Sequence, residues 1–367
     1  MGAAIGATAL RGIAQGHGTL LFVGTYTQKD SKGIYAWRFD GAGKLTPLGL
    51  AAETANPSFL AIDARGQYLY AVNEGERGMA TAFAIDSNAG KLRAINSVST
   101  SGADPCHLAI DATGKWLGVA NYTSGSIVIF PIQTGGRLGQ ASAFVQHKGS
   151  GVDRERQEGP HTHMAAFSPD NRYLMVPDLG TDHVVSYRFN AAKGGITPND
   201  PAYWTTAPRF GPRHLIFSKD VRFAYVVGEL AAAIEVFRYD ASKGSAQSVQ
   251  SISMLPAGYK GEKSGAEITL DRTGNFLYAS NRGHDSIAIF RVDKASGKLT
   301  SIGVTPLGVK TPRNFAIDPS NRFLFAEGQD SSQIATFHLD ASTGQLTSAG
   351  PAVAAPVPVC IAFLPSA

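Results

Sequence analysis

Short apolar runs return along nearly the whole chain in a fixed order: a first run, a turn opened by Asp or Ser, then a second run closing on Asn, Asp, Gly or Glu. Six copies are explicit, as NPSFLAIDARGQYLYAVNEG, DPCHLAIDATGKWLGVANYT, PHTHMAAFSPDNRYLMVPDLG, GPRHLIFSKDVRFAYVVGEL, GAEITLDRTGNFLYASNRG and TPRNFAIDPSNRFLFAEGQ. Apolar runs bounded by turn residues read as buried strands. The turn residues Asp63, Asp111, Ser168, Ser218, Asp271 and Asp318 can bond the backbone N–H groups that follow them. Three residues later stand Gly66, Gly114, Asn171, Gly274 and Asn321, which tolerate a positive φ; Val221 is the exception. Each pair of runs is therefore expected to form a tight hairpin.

A third strand follows in most copies (SIVIFPIQ, HVVSYRFN, AIEVFRYD, SIAIFRVD, QIATFHLD), then a Gly-containing turn and a fourth strand of the type GKLTSIGV. The anchors Pro57, Pro105, Pro160, Pro212, Gly265, Pro312 and Pro358 recur at intervals of 46 to 55 residues. A strand repeat of about 40 to 50 residues means a β-propeller. A seventh unit has to be assembled from both ends, because the C-terminal PVCIAFLP supplies only a first strand while LLFVGTYT and GIYAWRFD supply the second and third. The expected fold is all-β: a seven-bladed propeller with four antiparallel strands per blade, spanning 20–367 and closed by its two terminal segments. Such closure leaves no free edge between the first and last blades.

At 367 residues the length alone suggests two or three domains, but the internal repeat overrides that prior. A hydrophobic fraction of 43% with 17% charged residues suits a soluble chain with a large core, and no apolar run is long enough to span a bilayer. The net charge of +4 is too small and too scattered to indicate nucleic acid. Cys106 and Cys360 fall in blades that are not neighbours and are expected to be buried free thiols. Residues 1–19 are small and apolar without a basic leading region, and are expected to be a tail or an export-signal remnant. A cytoplasmic location is expected, with the periplasm as alternative if that remnant is functional.

The first strand's start and the second strand's end lie together near the axis on one face of a propeller. First-strand starts bring His107, His161, His163, Arg213, His214, Glu267, Arg313 and Asn314; second-strand ends bring Asn73, Glu74, Asn121, Asp178, Glu229, Asn281 and Arg282. The asparagines suit turns, whereas Arg213 and Arg282 have no turn role. Of His161 and His163, one is expected to face the channel. No further ligands stand at metal-site spacing, so no metal or other cofactor is expected. The segments VQHKGSGVDRERQEG, PNDPAYWTTAPRFG and LPAGYKGEKSG are expected to be long loops over this face. Nucleophile-elbow, Walker, dinucleotide, HExxH and CxxC motifs are absent, which argues against covalent serine or cysteine catalysis. Carboxylate, imidazole and guanidinium groups suit acid/base chemistry on an anion, with Glu229 or His163 moving a proton and Arg213 and Arg282 holding negative charge.

GTYT at 24–27, PCHL, PHTH, GPRHL, GEL at 228–230, SNRGHDSIAIF and PRNFAID resemble the seven-bladed propeller lactonase family over residues 20–365. That family is typified by bacterial propeller-type 6-phosphogluconolactonase and related to the fungal carboxy-muconate lactonising enzymes. The resemblance implies hydrolysis of 6-phosphoglucono-δ-lactone or a related lactone, with no required metal. It also implies that the His, two Arg and Glu of the muconate-type relatives correspond to His163, Arg213, Glu229 and Arg282. His107, His161, Asp178, His214, Glu267, Arg313 and Asn314 are then expected to bind substrate. The expected protein is a monomer acting on a small anionic lactone, without nucleic-acid or membrane partners. A lactonising cycloisomerase and a non-catalytic binding propeller are the alternatives.

Overall fold

In the computed structural model of the protein, which describes residues 18–365, the repeat becomes seven antiparallel sheets. Numbered in chain order by their first strands, blade one starts at Leu60–Ile62, blade two at Pro105–Ile110 and blade three at Ala166–Phe167. Blades four, five and six start at Pro212–Phe217, Ser264–Leu270 and Pro312–Ile317. The closing blade joins Pro358–Phe363 to Thr19–Thr25, Gly33–Phe39 and Leu45–Glu53, with Leu21 opposite Phe363 and Val23 opposite Ile361. Residues 1–17, where nearly all of the expected N-terminal tail falls, lie outside the described residues.

Second strands are apolar on both faces because each is covered by a neighbouring blade on either side. Phe223–Gly228 is buried at every position, whereas in the outer strand Lys91–Ser99 only Leu92 is buried and the rest are exposed or half-buried. Seven apolar clusters result, one at each blade interface. Phe223, Tyr225 and Val227 of blade four pack on Leu277 and Phe290 of blade five, and Leu20 and Phe22 of the closing blade pack on Leu60 and Leu69 of blade one. Burying such side chains contributes roughly 1.5–3 kcal/mol each. Both cysteines are free and buried.

The hairpins form as expected. Asp111 Oδ1 accepts from the N–H groups of Lys115 and Trp116, each at 2.9 Å, and its Oδ2 accepts from Asn171 Nδ2 of the next blade at 2.8 Å. The third residue after each turn opener has a positive φ throughout, including Val221 at 59°. One expected loop is different: the PNDPAYWTT stretch belongs to the outer strand Gly195–Thr205, where Val185 pairs with Tyr203 across a register shift.

Near the axis the ladder between first and second strands slips by one residue. The slip lies between Pro105 and His107, Pro212 and His214, Gly265 and Ile268, and Pro312 and Phe315, and opposite Val359 in the closing blade. These are β-bulges, which set two residues of one strand against one of its partner and re-aim the side chains. Consecutive strand residues normally face opposite ways. The bulge releases that rule, so adjacent residues can line the same cavity.

Candidate active site

A cavity at the axis is lined by Ser58, Phe59, Cys106, Arg213, His214, Arg313, Asn314 and Val359. The consecutive pairs Arg213 and His214, and Arg313 and Asn314, both reach it, as their bulges allow, and Ser58 and Phe59 reach it from the segment just before the first strand of blade one. Second-strand ends supply the groups around it: Glu74 from blade one, Tyr122 from blade two, Glu229 from blade four and Arg282 from blade five.

Glu229 is the hub. Its Oε1 accepts from Arg156 Nη2 at 2.6 Å, and its Oε2 lies 3.1 Å from Arg213 Nε and 2.8 Å from Arg282 Nη2. Burial alone would push this carboxyl up, but Arg282, Arg213 and Arg156 overcome it and hold the group far below the usual carboxylate range. Arg213 also donates Nη1 to the Ala266 carbonyl at 2.6 Å, and Arg282 donates Nη2 to the Gly265 carbonyl at 3.2 Å. Burial, with the repulsion of Arg313 and Arg282, pushes Arg213 down to about 10, so it remains a cation at neutral pH.

Three histidines from successive blades stand edge to edge. The His214 ring centroid lies 5.2 Å from that of His107 and 5.2 Å from that of His163, and Phe59 covers His107 at 4.2 Å. Burial, then Arg213, His214 and Arg313, hold the His163 imidazole well below its ordinary value, so it is neutral in the free protein. His107 is held down in the same way by burial, His214 and Arg213. His214 Nδ1 bonds Glu267 Oε1 at 3.0 Å, and Asn314 Nδ2 bonds the other oxygen of Glu267. Glu267 thus orients His214 and Asn314 from behind.

The two PHTH histidines separate because the strand is irregular there: Thr162 bridges Asp178 while Ala166 pairs with Met175, one residue out of register. His163 joins the axial row. His161 turns to the rim, stacked on Tyr122 at 4.7 Å, with Nδ1 on the Tyr122 carbonyl at 3.2 Å and Nε2 on Glu158 at 3.0 Å. Asp178 is not a cavity group. Its Oδ2 holds His147 Nδ1 at 2.7 Å, and its Oδ1 accepts from the N–H groups of His161 at 2.8 Å and Gly180 at 3.0 Å. Since His147 Nε2 also meets Tyr187 Oη at 2.9 Å, this buried trio anchors the start of the loop that delivers Arg156.

Sequence reasoning missed Arg156 and Tyr122. Tyr122 occupies the same second-strand end as Glu74 and Glu229, so aligning the copies held a signal for it. Arg156 had none beyond lying in the long segment VQHKGSGVDRERQEG. Asn121 and Asn281 are turn formers: their Nδ2 groups donate to the carbonyls of Thr100 and Met254. Among the described residues no group of three His, Cys, Asp or Glu converges at metal-binding distance.

A closed ring of blades with a charged, bulge-built axial mouth defines the chain as a propeller with a polar ligand site on its axis. More narrowly, the chain belongs to the seven-bladed β-propeller lactonase family, whose profile matches residues 20–363. It is 35% identical over 345 residues to a Bacillus subtilis protein named 6-phosphogluconolactonase, covering 94% of this chain and 97% of that one. The solved periplasmic gluconolactonase of Pseudomonas aeruginosa is similar at 35% identity with a TM-score of 0.90, covering 94% of this chain and 99% of that one. A solved Lactobacillus plantarum protein, described without an activity, is similar at 34% identity and a TM-score of 0.89, with the same coverage.

Proposed function

We propose that the protein hydrolyses an anionic sugar-acid lactone of the 6-phosphogluconolactone type. The observation that carries this reading is the Glu229 hub: a fixed carboxylate gathers three guanidiniums beside a neutral imidazole, which gives a preorganised positive site with a proton acceptor next to it. The names of the relatives support the lactone class, and they include both a phosphorylated and an unphosphorylated substrate.

The roles divide by chemistry. Glu229, held so far below the usual range, is a weak base; it organises Arg156, Arg213 and Arg282. His163 is the better acceptor, since both ring nitrogens of His161 are engaged. Cys106 Sγ lies 3.6 Å from His163 Nδ1, and the thiol hydrogen can go to the His163 carbonyl at 3.5 Å. Sγ then accepts from Nδ1–H and the free lone pair falls on Nε2. Water loses a proton to Nε2 as its oxygen attacks the lactone carbonyl. Arg282, whose Nε has no partner among the described residues, donates to the developing oxyanion together with Arg213. The ring C–O bond then breaks, and the imidazolium returns its proton to the departing ring oxygen, giving the hydroxy acid. A single oxyanion donor is worth about 10²- to 10³-fold in rate.

The test is acid release from 6-phosphogluconolactone and gluconolactone, with carboxy-muconate followed by absorbance. Saturable lactone turnover that falls to background in His163→Ala and Arg282→Ala supports hydrolysis. Turnover of carboxy-muconate alone would assign a cycloisomerase, and no turnover of any would leave a binding propeller.

A further inference from the structure

The cations expected to hold the substrate's charge, Arg213 and Arg282, are both tied to Glu229. Arg313 is not. Its guanidinium has no hydrogen bond or ion pair among the described residues and lies 5.4 Å from the centroid of the Tyr26 ring, whose hydroxyl bonds both oxygens of Glu74 at 3.0 Å. Glu74 is therefore held by Tyr26 rather than by the arginine. Across the same cavity, Ser58 is 3% exposed and its Oγ is buried without a partner. A buried hydroxyl without a partner is costly, and the half-buried Arg313 guanidinium beside the same cavity likewise lacks an acceptor among the described residues.

We propose that Arg313 and Ser58 form an oxyanion-binding subsite on the cavity floor, which takes the charged tail, phosphoryl or carboxylate, of the lactone substrate. This rests on the lactonase reading and separates two duties: the Glu229 hub faces the reacting carbonyl, and Arg313 reads the remote charge. The free space in the cavity is about 10 Å³, room for little more than one water, so only the tip of a ligand enters it without side-chain movement. Four guanidiniums, of Arg156, Arg213, Arg282 and Arg313, stand against three carboxylates, of Glu229, Glu74 and Glu267, which leaves a net positive charge for an anion to neutralise. Planar, multi-donor contact with phosphoryl or carboxylate oxygens is what a guanidinium does best.

The experiment compares wild type, Arg313→Met and Ser58→Ala on 6-phosphogluconolactone, a carboxylate-bearing muconolactone and neutral gluconolactone, with inorganic phosphate binding measured by calorimetry. The expected wild type prefers one of the two anionic lactones over gluconolactone, and which one identifies the tail. Arg313→Met is expected to lose about 10- to 100-fold in kcat/KM on that lactone, mainly through KM, while gluconolactone changes less than about 3-fold. Ser58→Ala follows in the same direction with a smaller loss. Equal losses on charged and neutral lactones, or an unchanged preference, would overturn the subsite. If no lactone is turned over, the lactonase reading fails and phosphate binding decides the subsite alone: binding abolished in Arg313→Met sustains it, and no binding to wild type refutes it. Phosphate binding to wild type needs no variant, so a misfolded substitution does not spare the proposal.

Discussion

Arg213 Nε and Glu229 Oε2 meet at 3.1 Å with both side chains less than a tenth exposed, so each is the other's substitute for water. Breaking one partner of such a pair leaves a buried charge without compensation, at a cost of about 3–5 kcal/mol. Glu229→Gln is therefore expected to lower both stability and turnover, the latter by at least about 10²-fold. The sign of the pH dependence follows from the depressed carboxyl. Its contribution is full above the ordinary carboxyl range and is lost as pH falls through the native value. Denaturant titrations at pH 7 and pH 4 should show the gap between wild type and Glu229→Gln narrowing at the lower pH.

Arg156 reaches Glu229 from the rim with nearly half of its side chain in water, and also donates to Tyr122 Oη at 3.1 Å. An exposed partner contributes little to folding. Arg156→Ala should therefore keep a stability within about 1 kcal/mol of wild type, yet lose about tenfold in kcat/KM. Tyr122→Phe keeps the His161 stack and should lose only a few-fold, about 2- to 5-fold, in line with one neutral hydrogen bond. Steady-state kinetics beside thermal melts separates these outcomes.

His163 is held down partly by the positive field of Arg313. As a base it works when unprotonated, so activity falls as pH drops through its titration. Removing a nearby cation raises that titration point. The acid limb of kcat/KM should move to higher pH in Arg313→Met and stay in place in Arg313→Lys. A limb that does not move would separate His163 from the proton transfer.

Glu327 in the second strand of blade six is fully buried, and neither carboxyl oxygen has a partner among the described residues. Burial, then the nearby charge of Glu267, raises this carboxyl well above its ordinary value. Here the sign is opposite to that of Glu229: the folded state holds a proton that the unfolded chain gives up, so stability declines as pH rises past the ordinary carboxyl range. Glu327→Met should be more stable than wild type at pH 8, by about 1–2 kcal/mol, with the difference vanishing near pH 4. Chemical denaturation at the two pH values checks it.

The blades, the hairpins and the closing strand were legible because strands covered on both faces write continuous apolar runs, and because turns admit few residues. Even Val221, the one poor residue for its turn, takes the conformation its five counterparts set. Arg213, His214, Arg313 and Asn314 all reach the axial cavity for a reason the strand pattern does not contain, namely the bulge after each anchor. Asp178 looked like a site residue because it closes a second strand, yet its rank there is that of Asn121, Gly228 and Asn281, one short of Glu229 and Arg282, and its carboxylate turns to His147 from a loop. Arg156 was invisible for the same cause: no repeat governs where a loop residue lands. PNDPAYWTT has the Pro and Asn content of a loop, but sheet pairing with Val184 and Val185 overrides that composition.

Closure by Pro358–Phe363 also sets an order of events. That strand brings Val359 to the cavity and places the Ile361 N–H 3.5 Å from Asn314 Oδ1, and it is synthesised after every other strand. A nascent chain can hold blades one to six and nearly all of the charged mouth and still be an open fan, with one wall of the cavity missing and Thr19–Thr25 unmated. The cavity wall is thus completed by the last strand of the ring, so a truncation that removes only this strand opens a cavity whose ionisable groups are all still present.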